Sequence, residues 1–283
     1  RGSAARTTDS ATPRMPGIPF ATLRHKIGSG LVWLFLCVMA AVCVGPVLFI
    51  ARASFGTGDE WTLDGWTAIL RQGVVHAGLV SLSLGILSCL LTTVLATLAA
   101  FSFAKLRFRG SQAVLTTIIV VMLIPGQVFI IPQFLNVART VGLGNIPMTA
   151  LIYSVGQLPF SIFLLTNFFR SIPVEILESA MVDGASIPRA VLSVFLPMAG
   201  PPLITVGVLN FIGVWNDLLI ALLYLPEDSV RTLGVVLATA QSLKSFDVTM
   251  VMAGSLASAV PTMLIFLFFQ RYITVGLTAG IGK

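Results

Sequence analysis

Apolar residues gather in six long runs, at about 31–51, 76–104, 113–136, 147–169, 199–224 and 249–270, and the stretches between them hold nearly all the charge. Each run is roughly 20 residues or longer, the length of helix that crosses a hydrocarbon core of about 30 Å. The pattern therefore predicts six membrane-spanning helices in an all-α polytopic membrane protein. The second run is long enough to tilt or to project from the bilayer. The polar stretch between the fourth and fifth runs, about 171–197, has a pattern of its own. Ser171 is placed to cap a helix starting at Pro173, where a missing N–H costs nothing. Gly184 is a natural left-handed stop. Ser186 then caps a second short helix with Pro188 in its first turn, and Pro197 marks the start of the fifth span. Ile176, Leu177, Ala180 and Met181 fall on one flank of the first helix, with Glu175, Glu178 and Asp183 elsewhere. An apolar stripe flanked by acids predicts insertion into a groove on a partner protein. The competing reading is a helix resting on the bilayer, but such helices carry Lys or Arg toward anionic lipid.

Composition excludes a soluble protein. The 283 residues are 56% hydrophobic and 10% charged, too few charges to cover a water-exposed surface of this size. The net charge of +6 is not a nucleic-acid patch, because the basic residues sit at the ends of the apolar runs. Arg1, Arg6, Arg14, Arg24, Lys26, Lys105, Arg107, Arg109, Arg170, Arg189, Arg271 and Lys283 fall on one side. Arg52, Arg71, Arg139, Arg231 and Lys244 fall on the other, with most of the acids. The positive-inside rule then puts both termini in the cytoplasm. Residues 1–28 are expected to be a disordered cytoplasmic tail ahead of a transmembrane domain at 29–283. A cleaved signal peptide is not expected, since the first run is long, lacks a small-residue cleavage site and is followed by Arg52. Cys37, Cys43 and Cys89 lie inside apolar runs, show no metal-ligand spacing and are read as small packing residues. Trp61 and Trp66 are expected at the interface or in a small lid.

Within the spans, small residues recur four apart in the second run: Ser81, Gly85, Cys89, Thr93, Thr97, and beside them Thr92, Ala96, Ala100, Ala104. In lipid such ladders let backbones approach, which predicts a central position for this helix. Pro125-Gly126 and Pro132 predict a broken third span, either a plain kink or a break beside a pathway with Gln127 as a pore-lining group. Asp217 is the one acid well inside a span and follows Trp215-Asn216. Asn210 lies seven residues earlier, on the same helix face. That face either lines a translocation path, with Trp215 stacking on a sugar ring and the amides bonding hydroxyls, or forms a structural hydrogen-bond cluster near a helix break.

The polar segment resembles the cytoplasmic loop of ABC importer permeases, whose pattern is Glu-Ala-Ala, three residues, Gly, nine residues, Ile-x-Leu-Pro. This chain reads Glu178-Ser179-Ala180, then Gly184, then Val194-Phe195-Leu196-Pro197, with Ser179 and Val194 as mild departures. Ile124-Pro125-Gly126-Gln127, Phe169-Arg170-Ser171-Ile172-Pro173 and Trp215-Asn216-Asp217 are similar to the carbohydrate branch of the family, as are the stretches around Phe101–Gly110 and Gln270–Gly280. The likeness covers about 30–283. One departure is His76-Ala77, where the family often has Asn-Ser. The resemblance implies the type I importer fold with a cytoplasmic coupling helix at about 173–185. Its partners would be a second homologous permease, two ATP-binding subunits and an extracytoplasmic binding protein that delivers a sugar, in a bacterial or archaeal inner membrane. Glu178, Ala180, Met181, Asp183, Gly184 and Pro197 would serve ATPase coupling. The loop at about 226–247, including Gln241, would reach toward the binding protein. ATP and Mg would sit on the partner subunits, with no cofactor or metal on this chain.

The chain holds no Gly-x-x-x-x-Gly-Lys-Ser/Thr phosphate loop, so it is not expected to hydrolyse ATP. A proton- or sodium-driven secondary transporter would want several intramembrane ionisable groups and an internal repeat. An intramembrane hydrolase would want His-Glu-x-x-His or Gly-x-Ser-x-Gly, and neither is present. An ABC permease for a polyol or a glycerophosphodiester stays open, because the loop reports the ATPase contact and not the cargo.

Overall fold

The structure is a computed structural model that describes residues 20–56, 60–106, 108–241 and 247–278, with side chains excepted at 20–31, 241 and 275–278. The described residues are helical, in two compact units divided between Phe49 and Ile50. The first unit holds most of α1 (Phe20–Ala53), which begins ahead of the boundary expected near residue 29. From Val32 to Phe49 its apolar side chains are nearly all exposed, as on a helix that meets lipid or another chain.

The second unit starts with the short α2 (Asp64–Arg71) and the long α3 (Val74–Lys105). A Cβ on Gly65 would stand 2.6 Å from the Thr249 carbonyl oxygen, so α2 reaches its neighbour through the missing side chain. The small-residue ladders of α3 do what they predict. Of their members Ser81, Gly85, Thr92, Ala96, Thr97 and Ala100 are buried and Cys89, Thr93 and Ala104 half-buried, and α3 is packed against by two other spans. A Cβ on Gly85 would lie 2.8 Å from the Phe211 ring, and the Cys89 thiol donates to the Gly207 carbonyl at 3.4 Å. Cys89 is thus a packing residue, whereas Cys37 and Cys43 are exposed on α1.

The third expected span is broken. It comprises α4 (Ser111–Val121), a 3₁₀ turn at Gly126–Phe129 and α5 (Ile130–Thr140), with the two halves bent by 86°. Pro125 has no N–H to offer the preceding turn, which tightens into three-residue bonds such as Leu123 N–H to Val120 O at 3.0 Å. The fourth span is the continuous α6 (Ile146–Ser171), capped by the Asn145 side chain on Met148 N–H at 2.9 Å.

After α6 come α7 (Glu175–Val182), α8 (Ile187–Ala190), a π-helical turn at Val191–Phe195, α9 (Leu196–Met198) and α10 (Gly200–Asn216). The π turn precedes Pro197, whose ring would clash with the carbonyl of Ser193 four residues back. Pro201 and Pro202 in the first turn of α10 stop the preceding helix, and the chain bends by 81° there. The fifth expected span does not run unbroken to residue 224. Asp217 is extended (φ −77°, ψ 130°), and the helix restarts as α11 (Leu219–Tyr224). Next come α12 (Leu233–Gln241) and α13 (Val248–Thr278). Among the described residues Val32–Ala53, Val74–Lys105, Ile146–Ser171 and Val248–Thr274 are long and apolar enough to cross a membrane alone, and counting each of the two bent pairs as one span gives six. The core is one of contacts across helices: α3 with α6, and α10 with both α3 and α13.

Candidate functional site: a presented turn and an intramembrane polar pocket

The polar segment between α6 and α10 begins two residues later than the sequence suggests. Ser171 is the last residue of α6 and its hydroxyl donates back to Phe168 O at 2.7 Å, so it caps nothing. Helix α7 starts at Glu175 without a side-chain cap. Pro173 forces Ile172 into an extended conformation, which delays the new helix. Ser186 stands at the start of α8 but also makes no side-chain cap bond.

The end of α7 matches the sequence reading. Gly184 adopts φ +84°. Gly184 N–H donates to Met181 O at 3.0 Å and Ala185 N–H to Ala180 O at 2.9 Å, the paired bonds of a Schellman motif with glycine at its left-handed position. These bonds satisfy carbonyls that the helix end would otherwise leave open.

The apolar flank of α7 is divided, contrary to the single docking stripe expected of it. Leu177 is 6% exposed, and Ile176 and Ala180 pack beside it on a core that includes Phe101, Phe169, Ala190 and Phe195. Those three residues hold α7 onto its own bundle. Met181 is 51% and Val182 87% exposed, and with exposed Glu178, Asp183 and Gly184 they form the face that is free to meet another molecule. Ala180 therefore contributes from beneath, through its packing and its carbonyl. Pro197 is exposed and sits in α9 beyond the π turn.

The second cluster lies between α6 and α10. A cavity of about 420 Å³ is lined by Tyr153, Gly156, Gln157, Asn210, Gly213 and Asp217 with apolar neighbours. Asn210 and Asp217 do share this face. Asp217 accepts the Tyr153 hydroxyl at 2.7 Å and Ile220 N–H at 2.9 Å, so it both anchors α6 to α10 and caps the restart at α11. Asn210 donates to Ser161 Oγ at 3.3 Å. Gln157 Oε1 is buried and has no hydrogen-bond partner among the described residues. A buried acceptor in that condition costs roughly 1–3 kcal/mol unless a donor reaches it. Gln157 lines the cavity, with that oxygen out of contact with the cavity surface. Tyr153 and Gln157 escaped the sequence reading, although Tyr153, Gln157 and Ser161 recur four apart in an apolar run and mark one polar face.

Trp215, Asn216 and Gln127 are not in this cavity. Trp215 is buried, stacks on Phe211 with ring centres 5.7 Å apart, and donates its indole N–H to Ser258 O at 3.0 Å. Its ring is packed in the core, as in the structural alternative, and is not open as a stacking platform. Asn216 donates to Ile212 O on its own helix and lines a separate cavity of about 560 Å³ beside Ser255, Ser258 and Thr262. Gln127 is exposed in the 3₁₀ turn of the broken third span. The side chain of Gln241 lies outside the described residues, as do 242–246.

Comparison with known proteins identifies relatives of the chain. The chain is 32% identical over 226 residues to the trehalose transport system permease protein SugB of Mycobacterium tuberculosis, spanning 78% of this chain and 82% of that one. It is 26% identical over 275 residues to the diacetylchitobiose uptake system permease protein NgcG of Streptomyces coelicolor, spanning 92% of this chain and 88% of that one. In fold it resembles a chain from the crystal structure of a bacterial ABC transporter involved in the import of the acidic polysaccharide alginate. That match has a TM-score of 0.73 at 21% identity and covers 92% of this chain and 99% of that chain. The profile of the binding-protein-dependent transport system inner membrane component matches residues 92–275, from the middle of α3 into α13 and across both clusters. The chain belongs to that family, and is a membrane-spanning permease of an ABC import system.

Proposed function

We propose that this chain is one of two related permeases in an ATP-driven importer of a sugar, in a bacterial or archaeal inner membrane with both of its termini cytoplasmic. An extracytoplasmic binding protein delivers the solute, and one of two ATP-binding subunits docks on the outward face of α7. The observation that carries the reading is the division of α7. Leu177 anchors the helix while Glu178, Met181, Val182, Asp183 and Gly184 are presented outward on a capped turn. A helix exposed at its end but fixed along its flank transmits a push instead of absorbing it. Closure of the ATPases then draws the coupling helices together and turns the pathway outward. ATP and Mg²⁺ belong to the partners, since this chain has no phosphate loop. The segment around Gln241 reaches toward the binding protein.

A sugar is supported by the trehalose and diacetylchitobiose relatives and by the pocket between α6 and α10. Gln157 and Asn210 give the pocket wall its amides, and Asp217 fixes that wall. A polyol or a glycerophosphodiester would satisfy the same groups. An ion-coupled carrier is less well supported, because the Asp217 carboxylate is already engaged by Tyr153 and Ile220.

The test is uptake by the reconstituted complex with its binding protein. Transport is expected to stop when the partner ATPase is made hydrolysis-dead. Gln157→Leu is expected to lower uptake several-fold at unchanged membrane abundance, the size of one lost polar contact. Uptake that continues with a dead ATPase contradicts the coupling, and wild-type uptake by Gln157→Leu removes the pocket from the pathway.

A further inference from the structure

We propose that Lys105 is a positioning residue for coupling: it locks the joint between α6 and α7, so that movement of α7 is carried into α3. The inference rests on the docking of α7 proposed above and adds the route by which the push leaves it.

Lys105 is the last residue of α3, the helix on which α6 and α10 both pack. Its ammonium donates to the carbonyl of Ile172. Ile172 is the buried residue at which α6 stops and the chain turns extended (φ −74°, ψ 130°). The break frees that carbonyl from helical bonding, and it lies at the negative end of the α6 dipole, where a cation is favoured. The same ammonium stands 5.9 Å from the centre of the Phe195 ring, in the π turn ahead of α10. One charge at the end of α3 therefore addresses the end of α6, just ahead of α7, and the turn before α10.

The packing around this charge is stiff. Phe101, one turn back on α3, meets Phe195 edge-on at 5.1 Å and Phe169 of α6 edge-on at 6.2 Å. Leu177 of α7 is buried in the same cluster. Packed aromatic cores shift as bodies and do not deform smoothly. That packing holds α7 along its flank but not the connection 172–174, where backbone rotation would loosen the start of α7 against the ends of α6 and α3. A bond on the Ile172 carbonyl opposes rotation of that peptide. The bond thus adds to the flank packing a tie at the start of α7; without it, part of the motion of α7 is spent in the connection.

The experiment uses the complete complex with its ATPases and binding protein in proteoliposomes, and compares Lys105→Met and Lys105→Arg with the wild type. Three quantities are read: recovery of the assembled complex, crosslinking of α7 to the ATPase, and solute moved per ATP hydrolysed. Lys105→Met keeps the stem and removes charge and donor. It is expected to assemble and crosslink as the wild type does, yet to move roughly tenfold less solute per ATP, the scale of one lost charge-assisted hydrogen bond. Lys105→Arg keeps charge, donors and attraction to the Phe195 ring, and is expected to restore most of the ratio. Wild-type transport per ATP in Lys105→Met overturns the inference. So does a loss of assembly in proportion to the loss of transport, which is what a merely structural residue would give. If α7 of the wild type does not crosslink, the docking reading fails instead.

Discussion

At the scale of single residues, Gly184 decides the shape of the presented turn. A Cβ there would meet nothing within 4 Å, so the whole effect of a substitution is conformational. A left-handed conformation costs an L-residue roughly 1–2 kcal/mol, and Asn less than most. Gly184→Val is expected to lose most uptake while Gly184→Asn keeps most of it, both judged at equal membrane abundance. Equal uptake by the two would remove the turn from the mechanism. Asp217 offers a second discrimination. Asp217→Asn retains an oxygen for Tyr153 and Ile220, whereas Asp217→Ala leaves both donors unmatched and costs roughly 1–3 kcal/mol. The alanine variant is expected at lower membrane abundance and the asparagine variant near wild type, as read by quantitative immunoblotting. Gly184 was legible in the sequence because a glycine after a short acidic helix has few other uses. The opposite fates of Leu177 and Met181 were not. Both are apolar and four apart, and periodicity defines a flank without saying how far along it the core extends.

At the scale of elements, the breaks are the informative feature. Pro125-Gly126 announced the bend between α4 and α5, and Pro201-Pro202 explain the bend ahead of α10. The break at Asp217 carries no proline and was read from the sequence only as one of two alternatives. It exists because the carboxylate bonds Ile220 N–H and Tyr153 in place of the helical ladder, a tertiary choice that one segment cannot display. Close helix approach was legible along α3, where Gly85 and Cys89 meet Phe211 and Gly207. The approach of α2 to α13 was not, since a single Gly65 gives no period. Gly65→Ala would place a methyl group against the Thr249 carbonyl. It is expected to destabilise the chain by roughly 1–3 kcal/mol, as overpacking does, and to lower the thermal midpoint of the detergent-solubilised protein. An unchanged midpoint would mean that α2 yields freely.

At the scale of the whole molecule, hydrophobic runs alone gave the membrane class and the approximate spans, because a bilayer constrains length and polarity severely. The polar pocket was half legible. Asn210 and Asp217 stood out in an apolar run, but their partners Tyr153 and Gln157 lie on another helix, and only folding brings them together. The central claim is that α7 is fixed to its own bundle along one flank and offered to a partner at its end. A single-cysteine scan in the assembled importer tests it most directly. Val182→Cys is predicted to crosslink to the ATP-binding subunit, with an efficiency that changes when ATP is added, while Leu177→Cys is predicted not to crosslink. Strong crosslinking at Leu177, or none at Val182 in an intact complex, would contradict the account.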